Sequence, residues 1–110
     1  MYEIKRNAHI LNDGAKIITY SREVCGCNIL EVEAGTNGYH GGDSGHGSRT
    51  YFKIRDGACT DIEPNLIFNR FGRYEGFEVT LGGDSELETM IEALKFITKV
   101  LEEEAEGVQN

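Results

Sequence analysis

Hydrophobic and polar positions alternate at two different periods along the chain, and the change of period falls near residue 84. Up to that point the apolar residues recur every second position in short runs, which is the spacing of half-buried strands. Tyr2–Arg6 and Lys16–Tyr20 are β-prone runs separated by the turn signal Asn12-Asp13-Gly14, and together they predict an opening hairpin. From Cys27 to Ala34, Leu30, Val32 and Ala34 alternate with Glu31 and Glu33. From Arg49 to Arg55, Thr50, Phe52 and Ile54 alternate with Arg49, Tyr51, Lys53 and Arg55. A further pair is expected over Asn65–Phe71 and Phe77–Leu81, joined through Gly72–Gly76, with Pro64 placed between strands where its missing donor does least harm.

Beyond residue 84 the period becomes helical. Ser85-Glu86-Leu87-Glu88 has the S-x-x-E spacing of a capping box. Leu87, Met90, Ile91, Leu94, Ile97, Thr98 and Leu101 follow at threes and fours, a stripe expected to cover the sheet. Ala93, Phe96 and Val100 fall outside that stripe, so the apolar arc is wider than one sheet contact needs. The surplus predicts a homo-oligomer formed through the C-terminal helix, the alternative being a strand or loop of the same chain packed on it. The predicted fold is α+β, a small antiparallel sheet of short hairpins covered by one C-terminal helix, in a single domain over 1–106 with a frayed tail over 107–110.

Composition narrows the class. A chain of 110 residues with 39% hydrophobic content suits one modest core. No run approaches the roughly 20 apolar residues that cross a bilayer, and the first ten residues lack the apolar stretch of a signal peptide, so no membrane partner and a cytoplasmic location are expected. Cys25, Cys27 and Cys59 are odd in number, at spacings that suggest no disulfide framework. The formal charge is −8, but eight of the acids lie from Asp84 onward against Lys95 and Lys99. This acidity is read as the solvated side of a helix rather than a nucleic-acid mimic, and its sign disfavours strong nucleic-acid binding.

The candidate chemistry is concentrated between the two clearest strands. The segment GTNGYHGGDSGHG, Gly35 to Gly47, holds six glycines in thirteen residues, where a tight hairpin needs two to five residues in all. Glycine alternates there with Thr36, Asn37, Tyr39, His40, Asp43, Ser44 and His46, groups that donate, accept or coordinate. Backbone free of side chains, as at Gly41 and Gly42, lets successive amides point at an anion. Arg49 and Tyr51 leave the loop on one strand face, adding a guanidinium for phosphate and a ring for a base, with Tyr39 as a second ring. The ordinary alternative makes that face solvent-exposed, with its cations paired to Glu31 and Glu33 across the hairpin. His40, Asp43 and His46 are conceivable metal ligands, but H-x-x-D-x-x-H matches no established metal spacing, so neither a resident metal nor a cofactor is expected. The residues favour binding over catalysis.

The stretches ILEVEAGTNGYHGGDSGHGSRTYFKI and LGGDSELETMIEALKFITKVLEE resemble a family of short proteins encoded by bacterial viruses and prophages, over about Ile29 to Glu102. The resemblance implies a small accessory protein acting in a bacterial cytoplasm, where counter-defence is a common role. One such strategy is a non-enzymatic sponge that sequesters a nucleotide signal. Three functions stand open at this point. The first is oligomeric capture of an anionic nucleotide-type ligand by the loop, and the second a metal-dependent phosphodiesterase using His40, Asp43 and His46. The third is an acidic inhibitor that binds a host defence enzyme through its helix.

Overall fold

The computed structural model describes residues 3–42 and 47–109, with side chains up to Glu106. Its elements are β1 (Lys5–Ile10), β2 (Lys16–Cys25), β3 (Ile29–Thr36), β4 (Thr50–Ala58), β5 (Ile62–Phe68), β6 (Tyr74–Leu81) and α1 (Asp84–Gln109). Strands β1 to β4 form an antiparallel sheet in sequence order, and β5 with β6 forms a separate two-stranded hairpin. The α+β architecture with one C-terminal helix is therefore the observed one. Strand boundaries differ from expectation mainly at the ends: β1 starts three residues later than predicted, and β5 starts at Ile62. Pro64 consequently lies inside β5, paired with Val79. It is tolerated because, among the described residues, β5 has β6 as its one ladder partner, which makes it an edge strand.

The β5–β6 turn is closed by Asn69, whose side-chain oxygen accepts from the amides of Phe71 (2.8 Å) and Arg73 (3.1 Å). Gly72 supplies the left-handed residue of that turn, and Gly76, expected within the connection, belongs to β6. All three cysteines are free thiols.

The core lies between one face of the four-stranded sheet and α1. Val24, Leu30, Val32 and Ala34 meet Ala93, Phe96, Ile97 and Val100 there, with Tyr20, Ile54, Met90 and Leu101 packed around them. This corrects the predicted helix face in part, since Met90, Ile97 and Leu101 of the expected stripe do pack inward. Ala93, Phe96 and Val100, which the periodicity set aside, are buried. Leu87, Ile91 and Leu94, expected against the sheet, are 61%, 43% and 50% exposed.

A hydrogen-bond bolt at the helix start sets this rotational phase. Asn28, fully buried, donates to Thr89 Oγ1 (3.0 Å) and to Thr60 Oγ1 (3.0 Å), and accepts from Ser85 Oγ (2.6 Å). Thr89 shares a helix face with residues four, seven and eleven positions on, so holding it inward turns Ala93, Phe96 and Val100 inward as well. Ser85 does not act in the expected capping box. Its hydroxyl accepts from the Cys27 amide (3.0 Å) and serves Asn28, so it joins the helix to the β2–β3 turn. The backbone of 107–109, expected as a frayed tail, continues α1.

The molecule is flat, 42 × 41 × 19 Å, with a radius of gyration of 15.4 Å. A compact chain of this length would have about 13 Å. The excess comes from the β5–β6 hairpin, which projects from the sheet–helix body as an arm.

Candidate functional site

Gly35 is where β3 prepares the site. It pairs with Thr19 on one side and Tyr51 on the other, and a side chain there would run into the Ile18 carbonyl oxygen and the Thr19 side chain. With no side chain between them, His9 of β1 and Tyr51 of β4 meet across the two inner strands. Their rings stack at 4.3 Å between centroids and 29° between planes. The stack lies on the sheet face opposite α1, which no helix or strand covers among the described residues. Beside it, Glu33 accepts from Thr19 Oγ1 (2.5 Å) and pairs with Lys53 Nζ (3.2 Å). Burial pushes the Glu33 carboxyl up, but the Thr19 hydroxyl and the Lys53 ammonium together outweigh it and leave it below its ordinary value.

The neck of the glycine loop is closed by Asn37. Its amide donates to the Arg49 carbonyl (3.2 Å), its side-chain oxygen accepts from the Arg49 amide (2.7 Å), and its carbonyl accepts from His40 Nε2 (2.9 Å). Thr36 Oγ1 accepts from the Gly38 amide (3.1 Å) and lies 3.3 Å from the Thr50 hydroxyl. Arg49 then ties the outgoing limb to the β1–β2 turn. It donates through Nε to Asp13 Oδ2 (2.5 Å), and through Nη1 to the carbonyls of Gly47 (3.2 Å) and Ser48 (3.3 Å). The guanidinium hydrogen bond, followed by that of the Ala15 amide, holds the Asp13 carboxyl below its usual range.

The expected site residues therefore fall on two sides of the neck. Arg49 and Tyr51 share the uncovered sheet face with His9 and Asp13. Thr36 and Tyr39 lie on the helix side, where they line a cavity of about 130 Å³ with Leu101 and Ala105. Asn37 bridges the two limbs, and His40, Gly41 and Gly42 are solvent-exposed on the incoming limb. Gly41 has the positive φ expected of a glycine turn. Asp43, Ser44 and His46 lie outside the described residues. Among the described residues no three histidine, cysteine or carboxylate side chains converge as metal ligands.

The ordinary alternative for the outer cations of β4 is realised, since Arg55 pairs with Glu31 and Lys53 with Glu33. Asp13 and His9 were missed by the sequence reading. The first was legible as part of a turn signal, and the second sits in a strand with nothing to mark that it would reach Tyr51.

A second concave surface also escaped the sequence reading. Arg22, Lys95 and Lys99 line a groove of about 480 Å³ floored by Tyr20 and Phe96, but Glu92, Glu103 and Glu104 share its rim. Three carboxylates against three cations leave it without the net positive charge an anion requires.

Comparison with family models, with curated proteins and with solved structures gives no match to this chain.

Proposed function

We propose that the protein is a non-enzymatic binding protein, a phage-type accessory factor that captures an anionic nucleotide-type small molecule at the mouth of the 37–49 loop. The observation that carries this reading is Arg49, just ahead of β4 and two residues before Tyr51, on the same uncovered face as the Tyr51–His9 ring stack. A phosphate beside a guanidinium gains a charge-assisted contact, and a base extending from it along the strand reaches an aromatic ring. Glycine-rich backbone adds amide donors without side-chain obstruction. Asn37 fixes the loop neck in advance, which lowers the ordering cost of binding. In this reading the functional unit is a homo-oligomer, assembled through the apolar helix face that the sheet leaves uncovered.

Titration calorimetry with ADP-ribose, a cyclic dinucleotide and inorganic pyrophosphate tests the reading. Binding of one of these by the wild-type chain, weakened at least tenfold by Arg49→Ala, is the expected result. No binding of any of the three, or binding indifferent to Arg49→Ala, contradicts it.

A further inference from the structure

The β5–β6 arm is two strands wide and has one wholly apolar face. Its register places Pro64 opposite Val79, Leu66 opposite Phe77 and Phe68 opposite Tyr74, all on one side, while Glu63, Asn65, Glu78 and Thr80 take the other. Phe68 and Tyr74 pack ring on ring at 5.2 Å near the tip, and Arg70 lies 5.0 Å over Phe71. Its inner half, Ile62, Pro64, Phe77 and Val79, borders a groove of about 610 Å³ shared with Phe52, Ile54 and Met90, the Phe52 and Phe77 rings lying 5.9 Å apart, while toward the tip Phe68, Phe71 and Tyr74 are 53%, 74% and 76% exposed. A lone two-stranded hairpin is marginal in water, and an apolar face of this extent is a surface waiting for a second layer.

The chain also carries a complement to it. Leu87, Ile91 and Leu94 form the outward stripe of α1, exposed because the Asn28–Thr89 bolt turns the opposite side of the helix inward. The arm tip carries Arg70 and Arg73, and Glu88 and Glu92 flank the helix stripe one turn apart, with Lys95 lying 3.8 Å from Glu92 as an exposed neighbour that a partner arginine would displace. Covering Phe68, Phe71, Tyr74 and Phe77 alone would bury on the order of 150–250 Å² each if complete. These rings are 53–76% exposed, so only that share remains to be covered, and with the helix stripe added the area is on the order of the roughly 800 Å² per partner of a stable interface.

The geometry points to reciprocal arm exchange between two copies of this chain: each β5–β6 arm lays its apolar face across the Leu87, Ile91, Leu94 stripe of the other, with Arg70 and Arg73 against Glu88 and Glu92. One two-fold axis generates both contacts from the same pair of surfaces, and each helix becomes sandwiched between its own sheet and the partner's arm. The inference rests on the homo-oligomeric reading given above and specifies the surfaces that make the oligomer.

A charge swap tests it, read by sedimentation velocity of the full chain with circular dichroism confirming that each variant folds. Wild type is expected to be a dimer. Arg70→Glu with Arg73→Glu, and separately Glu88→Arg with Glu92→Arg, should each weaken dimerisation at least tenfold. Mixing the two variants should restore the dimer, because one contact of the mixed pair is native and the other has both signs reversed. A monomeric wild type would overturn the oligomer reading and this inference together. A dimeric wild type whose two variants stay dimeric would overturn arm exchange alone. Variants that weaken without rescue on mixing would show that arm and helix do not pair with each other, again leaving the oligomer standing.

Discussion

Arg49 and Asp13 are thirty-six residues apart in sequence and joined by a 2.5 Å hydrogen bond from Nε to Oδ2. The contact fastens the glycine loop to the β1–β2 turn, and it also places a competing carboxylate on the cation assigned to the ligand. An arriving phosphate must share or displace Asp13. Neutralising the competitor should therefore help: Asp13→Asn is expected to strengthen pyrophosphate binding several-fold, measured by calorimetry, where Arg49→Ala weakens it. A carboxylate serving merely to orient Arg49 for the ligand would give the opposite sign for Asp13→Asn.

Gly35 lies at the centre of the sheet with backbone pressed against it, and an added methyl there has no flexible neighbour to yield. Gly35→Ala should destabilise the fold by about 2–3 kcal/mol, the scale of overpacking in a closed core. It should also part the His9 and Tyr51 rings. Urea unfolding reads the first effect, and the Tyr51 ring shifts in NMR spectra read the second.

The two sides of α1 should respond differently to truncation. Phe96→Ala, in the core, is expected to cost about 3–5 kcal/mol at any protein concentration. Leu94→Ala, on the outward stripe, should cost little when dilute and show its effect as protein concentration rises, since it faces a second copy. Thermal unfolding over a hundredfold concentration range separates them, and a concentration-independent loss for Leu94→Ala would place that residue in the core of its own chain.

Acid should expose the Glu33 network. Its folded carboxyl is held below the ordinary value of 4.5, so its contribution is fully present above that pH and is lost as pH falls through the lowered folded value. Asp13, lowered from 3.8, adds a loss of the same sign at still lower pH. Melting temperature is expected to fall as pH drops below about 4.5, and Glu33→Gln should flatten that part of the profile. An unchanged slope in the variant would show that Glu33 carries no pH-linked stability.

The sequence pattern disclosed the elements well, because the period-two runs of β3 and β4 and the threes and fours of α1 are local consequences of burial. It placed Met90, Ile97 and Leu101 inward correctly but misassigned Leu87, Ile91 and Leu94, because both sides of α1 carry large apolar residues and what decides between them is Thr89. A threonine on a helix looks neutral until Asn28, sixty-one residues earlier, is found holding it. The cross-strand pairs Glu31–Arg55 and Glu33–Lys53 were legible from alternation alone. The split of the loop residues to either side of the neck was not, since it depends on Asn37 bonding to Arg49 and on how the limbs twist past the helix end. His9 likewise acquires meaning through Gly35, whose missing side chain opens the space between two rings.

Ligand capture without bond cleavage is tested most directly by native mass spectrometry of the protein taken from bacterial cells, before and after heat release of what it holds. A homo-oligomer carrying a phosphate-containing small molecule, recovered at unchanged mass after denaturation and absent from Arg49→Ala, is the predicted result. A chain that carries nothing when saturated with nucleotide-rich extract, or one that returns the molecule hydrolysed, would contradict the account.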